Sequence, residues 1–287
     1  MTTEELVERI NQFVSERESK DISESNPTNW ALRKFRDHVV GVPFEVHMDG
    51  VIEYVRGLKK NHKPSSVQFI ALSIRRFFNW LHERGYADEK IVTRYPRGLI
   101  KVPRRDAVVF TDEDYKEMLD KSRGTNWYPL IVIGWNTGMR ISDCALLTWD
   151  EVDLRNKTVR KMPKKTERLE DEVKVEIPMS DQLFELLYEM NELRCDGKYV
   201  LRRLAIIALV GNGNISTHFR DWQKREGLYE SGKTFHAFRR TAISNWLSHP
   251  NADIVTVQHL SGHRSIRSLL RYINPSNEKK RLIMGIK

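Results

Sequence analysis

Apolar residues recur at helical spacing along most of this chain, which predicts a mainly helical protein. Thr2 and Glu5 are spaced as a capping box. Leu6, Ile10, Phe13 and Val14 behind them predict a first amphipathic helix, ended by the polar stretch from Ser15 to Asn29. From Trp30 to about Arg94 the helical pattern returns. Trp30, Leu32, Phe35 and Val39 lie in one segment. Val51, Val55 and Leu58 form another, followed by the basic cluster Lys59, Lys60, His62 and Lys63. Pro64-Ser65-Ser66 starts a third segment in which Phe69, Leu72, Phe77, Phe78 and Leu81 face inward and Arg75 and Arg76 stay polar. Gly85 closes it as a C-terminal stop. Residues 1–94 are expected to form a helical domain.

Residues 95–108 lose this periodicity. Two prolines and the basic residues Arg97, Lys101, Arg104 and Arg105 mark a linker. Its cations either track a phosphate backbone or are simply solvated. A second domain is expected over 109–287. Thr111-Asp112-Glu113-Asp114 opens it with a helix start, and Tyr128 to Gly134 is an apolar helical run stopped at Thr137-Gly138. Between Lys157 and Met179 the period changes to two. Val173, Val175 and Ile177 alternate with Lys174 and Glu176 as a half-exposed strand, with Thr158 to Met162 as its partner. Helical segments follow. The expected fold is mainly α with a small β-sheet or hairpin: a helical N-terminal domain, then a mixed α/β domain.

Composition narrows the partners. The chain has 287 residues and a net charge of +9, which suggests a polyanionic partner, nucleic acid before anionic membrane. Cys144 and Cys195 have neither zinc spacing nor the numbers for a disulfide framework, and Cys144 reads as a core residue. A reducing compartment is expected. The start of the chain carries no apolar signal core, and no apolar run approaches the ~18 residues that span a membrane. The protein is therefore expected in the cytoplasm, nucleoid-associated or in a host cell. No GxxxxGK[ST] motif and no carboxylate cluster is present, so neither nucleotide, metal nor other cofactor is expected.

Four segments of the second domain can carry chemistry. In Thr137-Gly138-Met139-Arg140-Ile141-Ser142-Asp143, an arginine follows a glycine turn, and Asp143 is placed to hold its guanidinium or merely to pair with it at the surface. Lys161, Lys164 and Lys165 lie around a hairpin tip, either solvated or able to protonate a leaving oxygen. His236 and Arg239 are three apart and share a helical face, which suits a phosphate. From Leu260 to Tyr272, Ile266, Leu269, Leu270 and Ile273 form an apolar stripe. Tyr272 lies beside the stripe, toward Ser268 and Arg271, so its hydroxyl is available.

Together, and in this order, the segments resemble the tyrosine recombinase, or phage integrase, family. The matching pattern is TGMRxSDxxxL, a hairpin KT, HxxRRT, LSGH, and a tyrosine nine residues after that histidine; the resemblance as a whole covers about residues 25 to 275. The resemblance implies that Arg140 and Arg239 clamp the non-bridging oxygens of a scissile phosphate. It implies that His236 assists proton transfer, that His263 bonds the phosphate, and that Tyr272 is the nucleophile. Lys165 matches the lysine that protonates the departing 5′ oxygen, with Lys164 as its rival, and Asp143 matches the residue that orients Arg140. Arg240 stands where histidine is common. Lys164, Arg104, Arg105, Lys101, Arg75 and Arg240 are expected to contact DNA.

The implied activity is site-specific DNA recombination or integration, of the kind mobile elements use, through a 3′-phosphotyrosine. The helical domain would be the core-binding domain, and the two domains would form a C-shaped clamp on duplex DNA. The implied assembly is a homotetramer on two paired sites, with the segment from Asn274 to Lys287 docked on a neighbour; accessory proteins stay open. Mg²⁺ independence is expected, because fixed cations replace a metal. Two alternatives remain: a type IB topoisomerase-like strand transferase and a non-catalytic DNA-binding protein.

Overall fold

A computed structural model describes residues 2–19, 26–41, 48–87, 100–102, 108–161, 175–194, 197–210, 214–263, 265–270, 272 and 284. The chain divides into two units, Met1–Arg105 and Asp106–Lys287.

In the first unit, helices α1 (Thr3–Glu18), α2 (Pro27–Gly41), α3 (Met48–Gly57) and α4 (Pro64–Glu83) surround one core. The expected capping box is present: Thr2 Oγ1 accepts the Glu5 N–H at 3.2 Å, and the Glu5 carboxylate accepts the Thr2 N–H at 2.7 Å. Helix α1 nevertheless runs into the polar stretch expected to end it. Its last turn finds partners there: Arg17 donates to Asn26 and Asn29, and Glu18 pairs with Arg33. The inward stripe of α4 is Val67, Ile70, Ala71, Ile74, Phe77, Phe78 and Leu81. Two assigned core residues are corrected. Leu72 is 47% exposed, because at ~100° per residue it lies opposite Ile70; Phe69 only flanks the core. Trp30 is exposed, with the Lys34 ammonium 4.9 Å from its ring.

Gly85 stops α4 as expected. With φ 73° it lets its own N–H reach the His82 carbonyl and the Tyr86 N–H reach that of Leu81. Ile100, placed by sequence in the linker, is buried in this core, while Lys101 and Val102 are exposed. An apolar side chain in a basic stretch has little to gain from staying in water.

The second unit begins with α5 (Asp112–Ser122), α6 (Trp127–Thr137) and the short α7 (Ile141–Ala145). Strands β1 (Val152–Asp153), β2 (Thr158–Lys161) and β3 (Val175–Pro178) form an antiparallel sheet in that order, with Val159 opposite Ile177 and Lys161 opposite Val175. The period-two reading holds for Val159, Val175 and Ile177, which are buried. Met162, Val173 and Lys174 lie outside the described residues. Strand β1 was not anticipated, since two residues show no period.

Helices α8 (Asp181–Glu192), α9 (Arg202–Leu209), α10 (Ile215–Arg225), α11 (His236–Ser248), α12 (Ile254–Ser261) and α13 (Ile266–Leu269) follow. The core packs α6 against α11, with Phe235 and Phe238 edge to face at 5.0 Å. A Cβ on Gly134 would lie 2.4 Å from the Phe235 ring, so only glycine permits this approach of α6. A smaller cluster of Ile243, Val257 and Leu269 lies under Tyr272. The apolar stripe expected from Ile266 onward is corrected. Helix α13 has four residues and buries only Leu269, while Ile266 and Leu270 are 40% and 50% exposed. Ile273 lies outside the described residues.

Among the described residues, no helix is long and apolar enough to cross a membrane.

Candidate active site

The site of the second unit starts where α6 ends. Gly138 adopts φ 59°, and its N–H closes the helix on the Gly134 carbonyl. The chain then extends through Arg140, the N-cap of α7. Asp143 follows one turn later and is buried, its carboxylate 3.6 Å from the Arg140 guanidinium. That separation is an ion pair rather than a direct hydrogen bond. Arg140 keeps 27% of its side chain exposed, so the pair leaves the guanidinium open at the surface.

Arg239 arrives from α11. It is only 4% exposed, and Asp143 and Cys144 are buried with it. Its guanidinium donates to two main-chain carbonyls, Gly138 at 3.1 Å and Ser261 at 2.5 Å, so it joins the ends of α6 and α12. The same Nη2 is 3.5 Å from His263 Nδ1. Burial, and then the nearby Arg140 charge, lower Arg239 to about 10, opposed by Tyr272 and Asp143. It therefore stays charged at neutral pH.

Gly262, with φ 61°, ends α12 and turns the chain to His263. Ser261 Oγ lies 2.7 Å from His263 Nδ1 and fixes that ring. The Tyr272 ring is 5.9 Å from the His263 ring, and the Tyr272 N–H donates to the Leu269 carbonyl at 2.8 Å. Tyr272 is half-buried at the edge of its small cluster, beyond the end of α13.

Arg140, Asp143, Arg239, His263 and Tyr272 are thus gathered from three separate stretches of sequence. His236 is the exposed first residue of α11, on the helical face of Arg239. Arg240 is half-buried beside it; in the first unit Arg75 is half-buried and Lys101 exposed. Lys164, Lys165, Arg104 and Arg105 lie outside the described residues. Cys144 is a core thiol as expected; burial, and then Asp143, raise its pKa, which makes it a poor nucleophile.

Two further groups were missed. Ser261 was passed over as part of a motif, yet it holds both Arg239 and His263. Lys161 was grouped with the hairpin tip, but it is buried in β2 and bonded to Glu151 at 2.8 Å. It shares a small cavity of about 10 Å³ with Arg140, Asp143 and Arg239. The strand period contained the signal, since Lys161 is in phase with Val159 and not with Arg160.

With this geometry in place, comparisons with known proteins give one answer. The model of the phage integrase family matches residues 109–279. The chain is similar to tyrosine recombinase XerD of Vibrio cholerae serotype O1, 25% identical over 251 residues, 80% of this chain and 77% of that protein. Among solved structures, it resembles the Tn1549 transposon integrase in complex with a circular intermediate DNA, at 14% identity, TM-score 0.73 and 98% coverage of both chains. It also resembles a lambda integrase tetramer bound to a Holliday junction, at 19% identity and TM-score 0.71, over 96% of this chain and 78% of that one.

Proposed function

The chain belongs to the phage integrase family, and from that premise we propose that it recombines DNA at specific sites with Tyr272 as the nucleophile. The arrangement of Arg239 against His263, with the Tyr272 ring 5.9 Å beyond, carries this reading.

The Tyr272 hydroxyl attacks the scissile phosphorus as its proton passes to His236. A 3′-phosphotyrosine bond forms as the bond to the 5′ oxygen breaks. That oxygen takes a proton from Lys165, or from its rival Lys164, and leaves as a 5′-hydroxyl. Attack by a 5′-hydroxyl of the partner strand reverses these steps, so the broken ester's energy is kept in the protein link. A phenol with an ordinary pKa of ~10 is a weak nucleophile at neutral pH, so positioning must contribute much of the rate. Arg140, Arg239, His236 and His263 offset the charge of the pentacoordinate transition state, and removal of one such donor typically costs ~100-fold or more.

The substrate is duplex DNA. The first unit supplies the core-binding domain and the second the chemistry. The working assembly is a tetramer on two paired sites, in line with the lambda integrase tetramer on a Holliday junction.

The test is to trap and sequence DNA bound covalently to the protein in cells, with Tyr272→Phe as control. We expect adducts at one or a few sites, absent from the variant. Adducts scattered across the genome would identify a topoisomerase-like enzyme instead, and equal adducts in the variant would remove Tyr272 from its role.

A further inference from the structure

Lys161 ends β2 with its side chain turned inward, in phase with buried Val159. Its ammonium has two fixed acceptors, the Leu146 carbonyl at 3.0 Å and the Glu151 carboxylate at 2.8 Å. Leu146 caps the C-terminal end of α7, whose N-cap is Arg140 and which contains Asp143. Glu151 is itself fixed, because its same oxygen accepts the Thr148 N–H at 2.9 Å. Lys161 also lines the cavity it shares with Arg140, Asp143 and Arg239. Burying an ammonium is unfavourable unless it is paired. A position that needed only packing would hold a second apolar residue beside Val159.

We propose that Lys161 is a positioning residue for phosphate binding: it ties the end of β2 to the last turn of α7 and so fixes where Arg140 meets the scissile phosphate. Lys161 acts through Arg140 and does not itself touch DNA, because both of these bonds go to the protein. The proposal rests on the recombinase reading of the site.

The test uses the full chain and the DNA site recovered from Tyr272 adducts. Single-turnover cleavage and non-covalent affinity are measured for the wild type, Lys161→Met and Lys161→Arg. Lys161→Met is expected to cleave about 10- to 100-fold more slowly, the usual cost of a misplaced catalytic group, with affinity little changed. Lys161→Arg is expected to recover part of the rate. Two modified DNAs then separate the routes. A methylphosphonate at the scissile position removes the charge that Arg140 offsets, and is expected to close most of the gap between the wild type and Lys161→Met. Sulfur in place of the departing 5′ oxygen leaves without a proton, and is expected to leave the gap open.

A gap closed by sulfur would mean that Lys161 acts on the leaving group. A gap unaffected by the methylphosphonate would leave it a purely structural residue. Either result overturns the proposal, as does wild-type cleavage by Lys161→Met. If Lys161→Met does not fold, Lys161→Arg is carried through the same two DNAs. A wild type that forms no Tyr272 adduct anywhere would defeat the recombinase reading first, and the positioning role with it.

Discussion

Single residues set this site through the backbone as much as through side chains. Gly138 is the clearest case. Its φ of 59° is left-handed, a Cβ there would sit 2.9 Å from the Ala242 Cβ, and its carbonyl holds Arg239. Left-handed geometry costs a non-glycine residue ~1–2 kcal/mol before any clash is counted. Gly138→Ala is therefore expected to lower the melting temperature and also to slow cleavage, because relief of the clash moves α11 and Arg239 with it. A variant with unchanged melting and unchanged rate would show that Arg239 does not depend on this turn. Short local motifs in the sequence singled out Arg140, Asp143, His236, Arg239, His263 and Tyr272, and the structure brings all of these but His236 into one neighbourhood. The sequence did not show the Gly138 and Ser261 carbonyls as partners of Arg239, since a main-chain acceptor leaves no mark on residue identity. Lys161 lay between these cases: its strand phase pointed inward, but lysine chemistry suggested a solvated tip.

Helices and strands were read well where local chemistry decides them and less well where packing does. The caps at Thr2, Thr111 and Gly85 follow from neighbours within a few residues. Leu72 and Ile266 were assigned inward because apolar type alone cannot tell the core face of a helix from its flank. The start of α5 shows how an element is tied to its surroundings. Asp114 closes the capping box with Thr111 and also accepts from Lys233 at 3.0 Å, anchoring α5 to the turn that precedes α11. Burial works to raise the Asp114 pKa, but hydrogen bonds from Thr111 and Lys233 outweigh it, and the net shift is downward. A carboxyl with a lowered folded pKa adds stability above its unfolded value and loses it as pH falls through the folded one. Asp114→Asn should thus be less stable than the wild type at neutral pH, and the difference should vanish in strong acid. Thermal melts of both proteins across that range test this; a difference that stays constant with pH would exclude the charge as its source.

The whole molecule carries a net charge of +9, which gives its proposed partner a sequence-independent attraction. Lys101 and Arg75 belong to the first unit and are expected to contribute to it through phosphate contacts. Replacing either with alanine should weaken binding on all DNA sequences and reduce the salt slope of log affinity by about one. Unchanged slopes would mean that both side chains are simply solvated. The loss of helical period after Arg94 marked a linker over 95–108, and the two units divide between Arg105 and Asp106; the burial of Ile100 left no mark, because a lone apolar residue has no period. Among the described residues the two large cores share no side chain: Leu6 to Ile100 build one, and Phe110 to Phe238 the other. This separation bears on descent. A lineage whose halves keep separate interiors can rewrite one while the other is held constant, so the choice of target can drift, or be grafted from a relative, without the strand-joining chemistry having to be reinvented.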